Sequence, residues 1–192
     1  FLAGRKLYVI GAQSGEYPRL GWRRTGFIVA KRVEEQRERA AHLVSEMGGI
    51  WAQPIKVLDG FYYSIEDEDS GERWHLRNSD AFTNHFSHVQ FRFEGHGLEV
   101  RREDFVVEDE PALFSTLTIA NKRTSSARFT LRLCTEVNIM PAWFAGLPDG
   151  RDVVSFLEEE GLVTGLDSRL PDRAAVVFGS PLVPVDHELG EL

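Results

Sequence analysis

The chain has 192 residues, of which 42% are hydrophobic and 27% are charged, and its 30 acidic and 22 basic residues give a net charge of -8. This balance predicts a folded globular protein and argues against nucleic acid or an anionic membrane surface as its partner. No apolar run approaches the roughly 20 residues of a membrane-spanning helix, and the single cysteine excludes an internal disulfide.

Alternation of apolar and polar residues is the main pattern along the chain. It predicts strands over 5–12, 26–30, 50–57, 60–66, 72–77, 86–94, 98–107, 112–121, 128–137 and 173–179. The polar stretch 121–126 lies between two of the clearest strands, so these two are predicted to form a hairpin. Many short strands with polar loops favour an antiparallel β-sandwich, mainly β in class, in one domain covering 1–192.

Two segments are predicted to be helical. Residues 31–46 (KRVEEQRERAAHLVSE) are strong helix formers, and a Gly-Gly pair follows soon after them. Residues 151–160 (RDVVSFLEEE) place three apolar side chains at i, i+3 and i+4 spacing before a glycine. The sequence therefore predicts one or two short helices at the periphery of the sandwich.

The usual motifs for cofactors and catalysis are absent from the sequence. There is no P-loop, and no GxGxxG follows a predicted strand, so no cofactor is predicted. The serine of Gly11 to Gly15 stands one position late for a nucleophile elbow. Cys134 lies on the polar side of a strand, where a structural thiol is expected. The acidic run Glu66 to Asp69 predicts a solvated hairpin tip rather than a calcium loop. No catalytic residue is assigned.

Four histidines fall in one part of the chain and raise the question of a metal site: His75, His85, His88 and His96. Ligands on a strand usually stand two residues apart, because that spacing points them to one side. His85 and His88 are three apart in a strand-like context, which predicts that they point to opposite faces. No carboxylate completes a set of ligands, so no metal is predicted.

The segment 46–63 holds more glycine and aromatic residues than a plain strand needs. Aromatic faces beside charged hydrogen-bonding groups are typical of a sugar site, because pyranose rings stack their apolar faces on aromatic rings. Trp51 is then a stacking platform, and Lys56 and Asp59 bind hydroxyl groups. In the alternative interpretation Trp51, Ile55 and Phe61 are core residues, and Lys56 and Asp59 form a local ion pair before a turn.

Two blocks rich in glycine and tryptophan carry a resemblance to a known family. They are Tyr8 to Trp22 (YVIGAQSGEYPRLGW) and Glu46 to Phe61 (EMGGIWAQPIKVLDGF), supported by Arg101 to Asn121 and by Pro141 to Trp143. They resemble the N-terminal β-sandwich domain of glycogen-debranching, amylo-α-1,6-glucosidase-like glycoside hydrolases. One departure is the charged segment 23–45, which separates two blocks that lie almost together in that family.

The resemblance implies a supersandwich-like, non-catalytic accessory domain of a carbohydrate-processing enzyme. In that family the domain packs on an (α/α)6 barrel of the six-hairpin, glucoamylase type, and the catalytic carboxylates lie on the barrel. The implied partners are this barrel, within the same polypeptide, and an oligosaccharide or α-glucan. The residues expected to face the sugar or the barrel are Trp22, Trp51, Lys56, Asp59 and Trp143.

Two other functions stay open at this stage. One is a structural or interaction module without a ligand of its own, whose aromatic residues cover an interface with another domain. The other is a free-standing sandwich enzyme, such as a lyase or an epimerase, which needs His75, His88 or Tyr62 grouped in one cleft. A start at Phe1 without methionine leads us to expect a piece that precedes an absent barrel, and the lone cysteine a cytoplasmic location.

Overall fold

The computed structural model describes residues 2–15, 48–141, 152–168 and 174–190. Every regular element in these ranges is a β-strand, and all paired strands are antiparallel. The mainly β prediction is therefore confirmed. None of the described segments is a helix that could cross a membrane. The helix predicted over 31–46 and the strand predicted over 26–30 lie outside the described residues.

Thirteen strands are described, and they form three sheets. In chain order they are β1 (Leu2–Ala3), β2 (Tyr8–Ile10), β3 (Gly49–Ala52), β4 (Ile55–Asp67), β5 (Arg73–His75), β6 (Ala81–Asn84), β7 (Val89–Gly95), β8 (Leu98–Val106), β9 (Leu113–Asn121), β10 (Phe129–Pro141), β11 (Asp152–Leu157), β12 (Leu162–Asp167) and β13 (Ala175–Gly179).

The largest sheet is built around β4. Its strand order is β1-β2-β3-β4-β10, and β5 also pairs with β4. The start of β4 pairs with β3 and its end with β5, while β10 pairs along its whole length. Glu68 and Asp69 lie in the turn between β4 and β5, so the prediction of a hairpin tip there is confirmed, whereas Glu66 and Asp67 of the same acidic run end strand β4 and Asp67 is buried.

The four-stranded sheet has the order β6-β7-β8-β9 and follows the alternation of its sequence closely. Val89, Phe91 and Phe93 of β7 are buried, whereas the residues between them are more exposed. The same period continues in β8 and β9. The buried side of this sheet and residues of β1 to β4 contribute to one hydrophobic cluster, which is the core of the described fold.

The three-stranded sheet has the order β11-β12-β13 and contains the main error of the sequence prediction. Residues 152–157 are a strand rather than a helix, because every one of them pairs with β12. Apolar residues at helical spacing are equally compatible with a short strand, and Val153-Val154 are β-branched residues that favour one. Gly161 closes the turn with a φ of 64° and donates its N–H to Leu157 O at 2.8 Å.

The predicted hairpin of 112–121 with 128–137 is also wrong. The two segments are β9 and β10, and they belong to different sheets, with β9 on β8 and β10 on β4. The polar loop between them is held at both ends, since Lys122 N–H donates to Gly97 O at 2.9 Å and Arg128 O accepts a hydrogen bond from Glu68 N–H at 3.1 Å. A polar composition predicts a turn but not which sheet the next strand joins.

The predicted strand 50–57 is in fact two strands. Ala52 of β3 pairs with Ile55 of β4, so the chain reverses at Gln53-Pro54, whose peptide bond is cis. Proline has no N–H to donate to a sheet, which explains why the apolar run breaks at this position. The reversal places the second Gly/Trp block on two adjacent strands of the largest sheet.

Candidate functional site

Three of the predicted sugar-facing residues come together on β3 and β4. The exposed fractions of Trp51, Lys56 and Asp59 are 5%, 1% and 8%. The Trp51 ring stacks on Tyr8 of β2 with centroids 6.0 Å apart and planes 3° apart. Lys56 Nζ lies 5.8 Å from the centroid of the Trp51 ring. The cluster is therefore compact and almost closed to solvent.

Lys56 and Asp59 form a buried ion pair. Lys56 Nζ contacts Asp59 Oδ1, and that same oxygen accepts a hydrogen bond from Asn138 Nδ2 at 2.9 Å. Burying a charged group costs free energy unless the charge is paired. The ammonium group of Lys56 and the carboxylate of Asp59 each pair with the other and contact neighbouring groups. Gly49, with a φ of 113°, passes close to this pair, and a Cβ there would lie 2.9 Å from Lys56 Cε.

The contacts of this cluster are those of the alternative interpretation, with Trp51 and Phe61 buried, Ile55 half-buried against the core and a local ion pair beside them. The role of Trp51 as a sugar platform stays a prediction, and it requires the indole to leave the burial seen here. Trp22 and Trp143, also predicted to face the sugar or the barrel, lie outside the described residues.

A cavity of about 220 Å³ opens between the first strands and the four-stranded sheet. Apolar side chains of the first strands and of β6 and β7 line it, and Arg102 and Asp104 give it a charged floor. The other lining residues are Gly11, Ala12, Gln13, Gly15 and Asn84. Its volume is below the roughly 300–1,000 Å³ of typical ligand sites, so it suits only a small ligand or part of one.

Arg102 and Asp104 are an enclosed ion pair on the inward side of β8. Arg102 is 1% exposed, and its Nε and Nη2 donate to the two carboxylate oxygens of Asp104 at 2.9 and 2.5 Å. Ser115 Oγ also donates to Asp104 Oδ1, at 2.6 Å. The guanidinium lies 4.4 Å from the Phe61 ring centroid and 5.0 Å from that of Phe91. These contacts form a satisfied network rather than a free charge.

The floor of the cavity is electrically neutral, because the Arg102 charge is matched by Asp104. Asp104 is also the one carboxylate among the described residues that line the cavity. Glycoside hydrolysis needs two carboxyl groups on opposite sides of the bond, and this lining supplies one that is already bound. The nearby Tyr63 phenol has its pKa raised, chiefly by burial, so it stays neutral at physiological pH.

The sequence prediction missed this pair, although a signal for it exists. Leu98, Val100 and Val106 set the inward period of β8, and Arg102 and Asp104 occupy inward positions of that same period. Opposite charges two apart on the buried parity of a strand face one side and can pair there. The alternation that predicts the strand β8 therefore also indicates that Arg102 and Asp104 are buried.

The histidines are divided among several places. His85 and His88 do not point apart as predicted: residues 85–88 form a tight turn, His85 N–H donates to His88 O at 2.9 Å, and the two rings stack 4.2 Å apart. His75 lies on β5 beside Tyr62, whose ring centroid is 6.1 Å away. No group of three or more metal-binding side chains occurs within the described ranges.

The enzyme alternative needs His75, His88 or Tyr62 in one cleft. His75 and Tyr62 neighbour each other on the largest sheet, but His88 lies in the turn that leads into β7 of the four-stranded sheet.

Comparison with known proteins adds no guidance on function, since no protein-family model, curated protein or solved structure matches the chain.

Proposed function

We propose that the chain is a non-catalytic β-sandwich module that docks on another domain of a carbohydrate-processing enzyme. The docking role rests on an uncharged sheet face described below. The identity of the enzyme, a debranching or α-glucosidase-type glycoside hydrolase with an (α/α)6 barrel acting on an α-glucan, rests on the resemblance of the two Gly/Trp blocks. The sandwich is favoured by the core that β1 to β4 share with the four-stranded sheet.

The observation that carries the proposal is the outer face of the three-stranded sheet. Its register places nine residues in three rows, and none is charged: Val153, Leu166 and Ala175; Ser155, Thr164 and Val177; Leu157, Leu162 and Gly179. Val153 and Val177 are 49% and 58% exposed. Contiguous apolar surface of this kind is typical of interfaces, because monomers seldom leave it in water.

The opposite face of this sheet packs against the rest of the described fold. Gly165 of β12 lies against Val137 of β10, and a Cβ on that glycine would come within 2.8 Å of Val137 Cγ1. Val176 and Phe178 pack against the main core from the same side. The outer face is thus left for a partner, and an uncharged partner surface such as the side of a helical barrel has the matching chemistry.

Hydrogen–deuterium exchange on the product of the complete coding sequence tests the docking role. We expect amides of 152–157 and 175–179 to exchange more slowly there than in this chain alone, because a docked domain excludes water from both edges of the sheet. Equal exchange rates would contradict docking through this face. The chain alone is expected not to hydrolyse maltooligosaccharides.

The same face also favours the second candidate, an interaction module without a ligand of its own. A titration with maltooligosaccharides, followed by tryptophan fluorescence, separates the two. Binding that disappears in Trp51→Ala but not in Trp74→Ala supports a sugar role for the Trp51 cluster. No fluorescence change in the complete protein supports the interaction module.

A further inference from the structure

The outer side of the largest sheet carries an ordered polar surface that the proposed function does not use. The register of β10, β4 and β5 places Arg132, Ser64 and His75 in one row. Glu66 and Arg73 stand in the next row, as direct partners of each other. Directly opposite residues of antiparallel strands point to the same face, so these five side chains share one side of the sheet.

Two hydrogen-bond donors on this surface have no acceptor among the described residues. One is the hydroxyl of Ser64, which is 1% exposed, and the other is Nε of Arg132. They belong to residues that face each other on neighbouring strands. Buried donors are normally satisfied, and an unsatisfied one calls for an explanation such as a bound ligand.

Two guanidinium groups of this surface share a carboxylate, although the protein as a whole carries a net charge of -8. Arg73 binds Glu66 Oε2 through Nη2 at 2.6 Å, and Arg132 Nη2 reaches the same oxygen at 3.3 Å. One carboxylate therefore serves two guanidinium groups. A third guanidinium, that of Arg77, lies 4.2 Å from the centroid of the Tyr62 ring in the adjacent row.

A carboxylate of the C-terminal segment, Glu188, acts on Arg73 through its charge. The pKa of Arg73 is raised mainly by its hydrogen bond with Glu66, and the charge of Glu188 contributes in the same direction. Glu188 is exposed and belongs to a segment without regular structure. An anion carried by another molecule meets the same field at this place.

We propose that the outer face of β4, β5 and β10 binds an oxyanionic group, which accepts hydrogen bonds from Arg132 Nε and the Ser64 hydroxyl. Arg73 and His75 flank the anion, and Glu188 competes with it. Sulfate, phosphate and carboxylate groups all suit these two donors, because each group presents one oxygen to Arg132 Nε and a second oxygen to the Ser64 hydroxyl. The site differs from the cavity floor, where the Arg102 fork is already occupied by Asp104.

The test is an NMR titration of the whole chain with sodium sulfate, with ionic strength held constant by sodium chloride. We expect saturable shifts at the amides of 62–66, 73–75 and 130–134. Arg132→Gln and Ser64→Ala should each weaken the affinity about tenfold, the worth of one charge-assisted hydrogen bond. Parallel titrations with phosphate and acetate show which oxyanion is preferred.

Arg101→Gln is the matched control, since Arg101 is an exposed arginine paired with Glu99 on the four-stranded sheet. It should change the affinity less than twofold. Glu188→Gln should strengthen binding by removing the competing carboxylate. If Arg132→Gln fails to fold, Arg132→Lys keeps the charge without the fork and should still weaken binding.

Three results would overturn the proposal. The first is the absence of saturable shifts on these strands with all three anions. The second is an equal loss of affinity in Arg101→Gln and Arg132→Gln, which indicates an unspecific response to net charge. The third is unchanged affinity in Ser64→Ala together with a higher melting temperature, which indicates that the hydroxyl is only an unsatisfied core group.

Discussion

At the scale of single residues, the Arg102–Asp104 pair has the largest consequence for the fold. It lies on the inward side of β8, and the guanidinium packs on rings from both β4 and β7. A paired charge of this kind adds little net stability, but losing one partner leaves the other charge buried and uncompensated. The pair therefore makes the core sensitive to substitution at either position.

We expect Asp104→Ala to lower the free energy of unfolding by about 3–5 kcal/mol, because Arg102 then stays buried without its counter-charge. Urea denaturation measures the change. The matched control is Glu94→Ala, which breaks an exposed pair with Arg92 on the same sheet and should cost less than about 1 kcal/mol. Equal losses in the two variants would show that the Arg102 charge is not confined to the core.

Asp67 gives a prediction about acid stability. Its pKa is lowered, first by the N–H of Ser70 and then by Arg123, whose Nη2 lies 2.5 Å from Oδ2. A carboxyl with a lower pKa in the folded state stabilises the fold above its unfolded value near 3.8 and loses that contribution as the pH falls through the folded value.

Asp67→Asn removes this contribution, so the variant should be less stable than the parent at neutral pH. The difference should shrink as the pH falls below about 4. Urea midpoints measured from neutral to acidic pH provide the check. A difference that grows with acidification would mean that the Asp67 pKa is raised rather than lowered.

At the scale of elements, the three-stranded sheet depends on one small residue for its contact with the rest of the fold. Gly165 of β12 lies between Val137 and Val176, which a Cβ would approach to 2.8 and 2.9 Å. This close approach holds β12 against β10. A larger residue would force the two strands apart or shift both valines.

Gly165→Ala should therefore cost about 1–3 kcal/mol of unfolding free energy through overpacking. Thermal unfolding followed by circular dichroism measures the loss. Gly190→Ala is the control, since a Cβ at Gly190 meets nothing within 4 Å. Equal melting temperatures for the two variants would show that β12 does not pack on β10 as described.

Local pattern was enough to predict most strands, but not their partners. Val89, Phe91 and Phe93 alternate so regularly that β7 follows directly from the sequence. The loop after Asn121 has the composition of a hairpin turn, yet it leads to another sheet, because the partner of β10 is fixed by β4 far earlier in the chain. The sequence of the loop between β9 and β10 does not indicate that β10 pairs with the distant strand β4.

The candidate sites were predictable to a smaller extent. The proximity of Trp51 to Lys56 depends on the chain reversal at Gln53-Pro54, which the predicted single strand 50–57 did not include. The burial of the cluster depends on neighbouring strands that a local pattern does not specify. The row of Arg132, Ser64 and His75 could not be predicted, because it is created by the register of three strands. Chemistry that arises from register becomes visible only once the sheet is known.

At the scale of the whole molecule, two sheets contribute most of the core, and the third presents an uncharged face that no other described residue is shown to cover. This difference predicts weak self-association of the chain when it is alone, since identical apolar faces can cover each other. Val177→Lys should reduce the association measured by sedimentation equilibrium. Thr118→Lys, on the outward side of β9, adds the same charge elsewhere and should have a smaller effect.

The position of β4 in the largest sheet has a further consequence, for the order in which the protein folds. One edge of β4 pairs with β3 and β5, which are its neighbours in sequence. The other edge pairs only with β10, which comes much later in the chain. Closing such a long loop is slow compared with forming a local hairpin. During synthesis the open edge of β4 is exposed until residue 141 has emerged, and unpaired edges are where chains pair with one another. One of the two longest strands among the described residues is thus also a place where a nascent chain needs protection from aggregation.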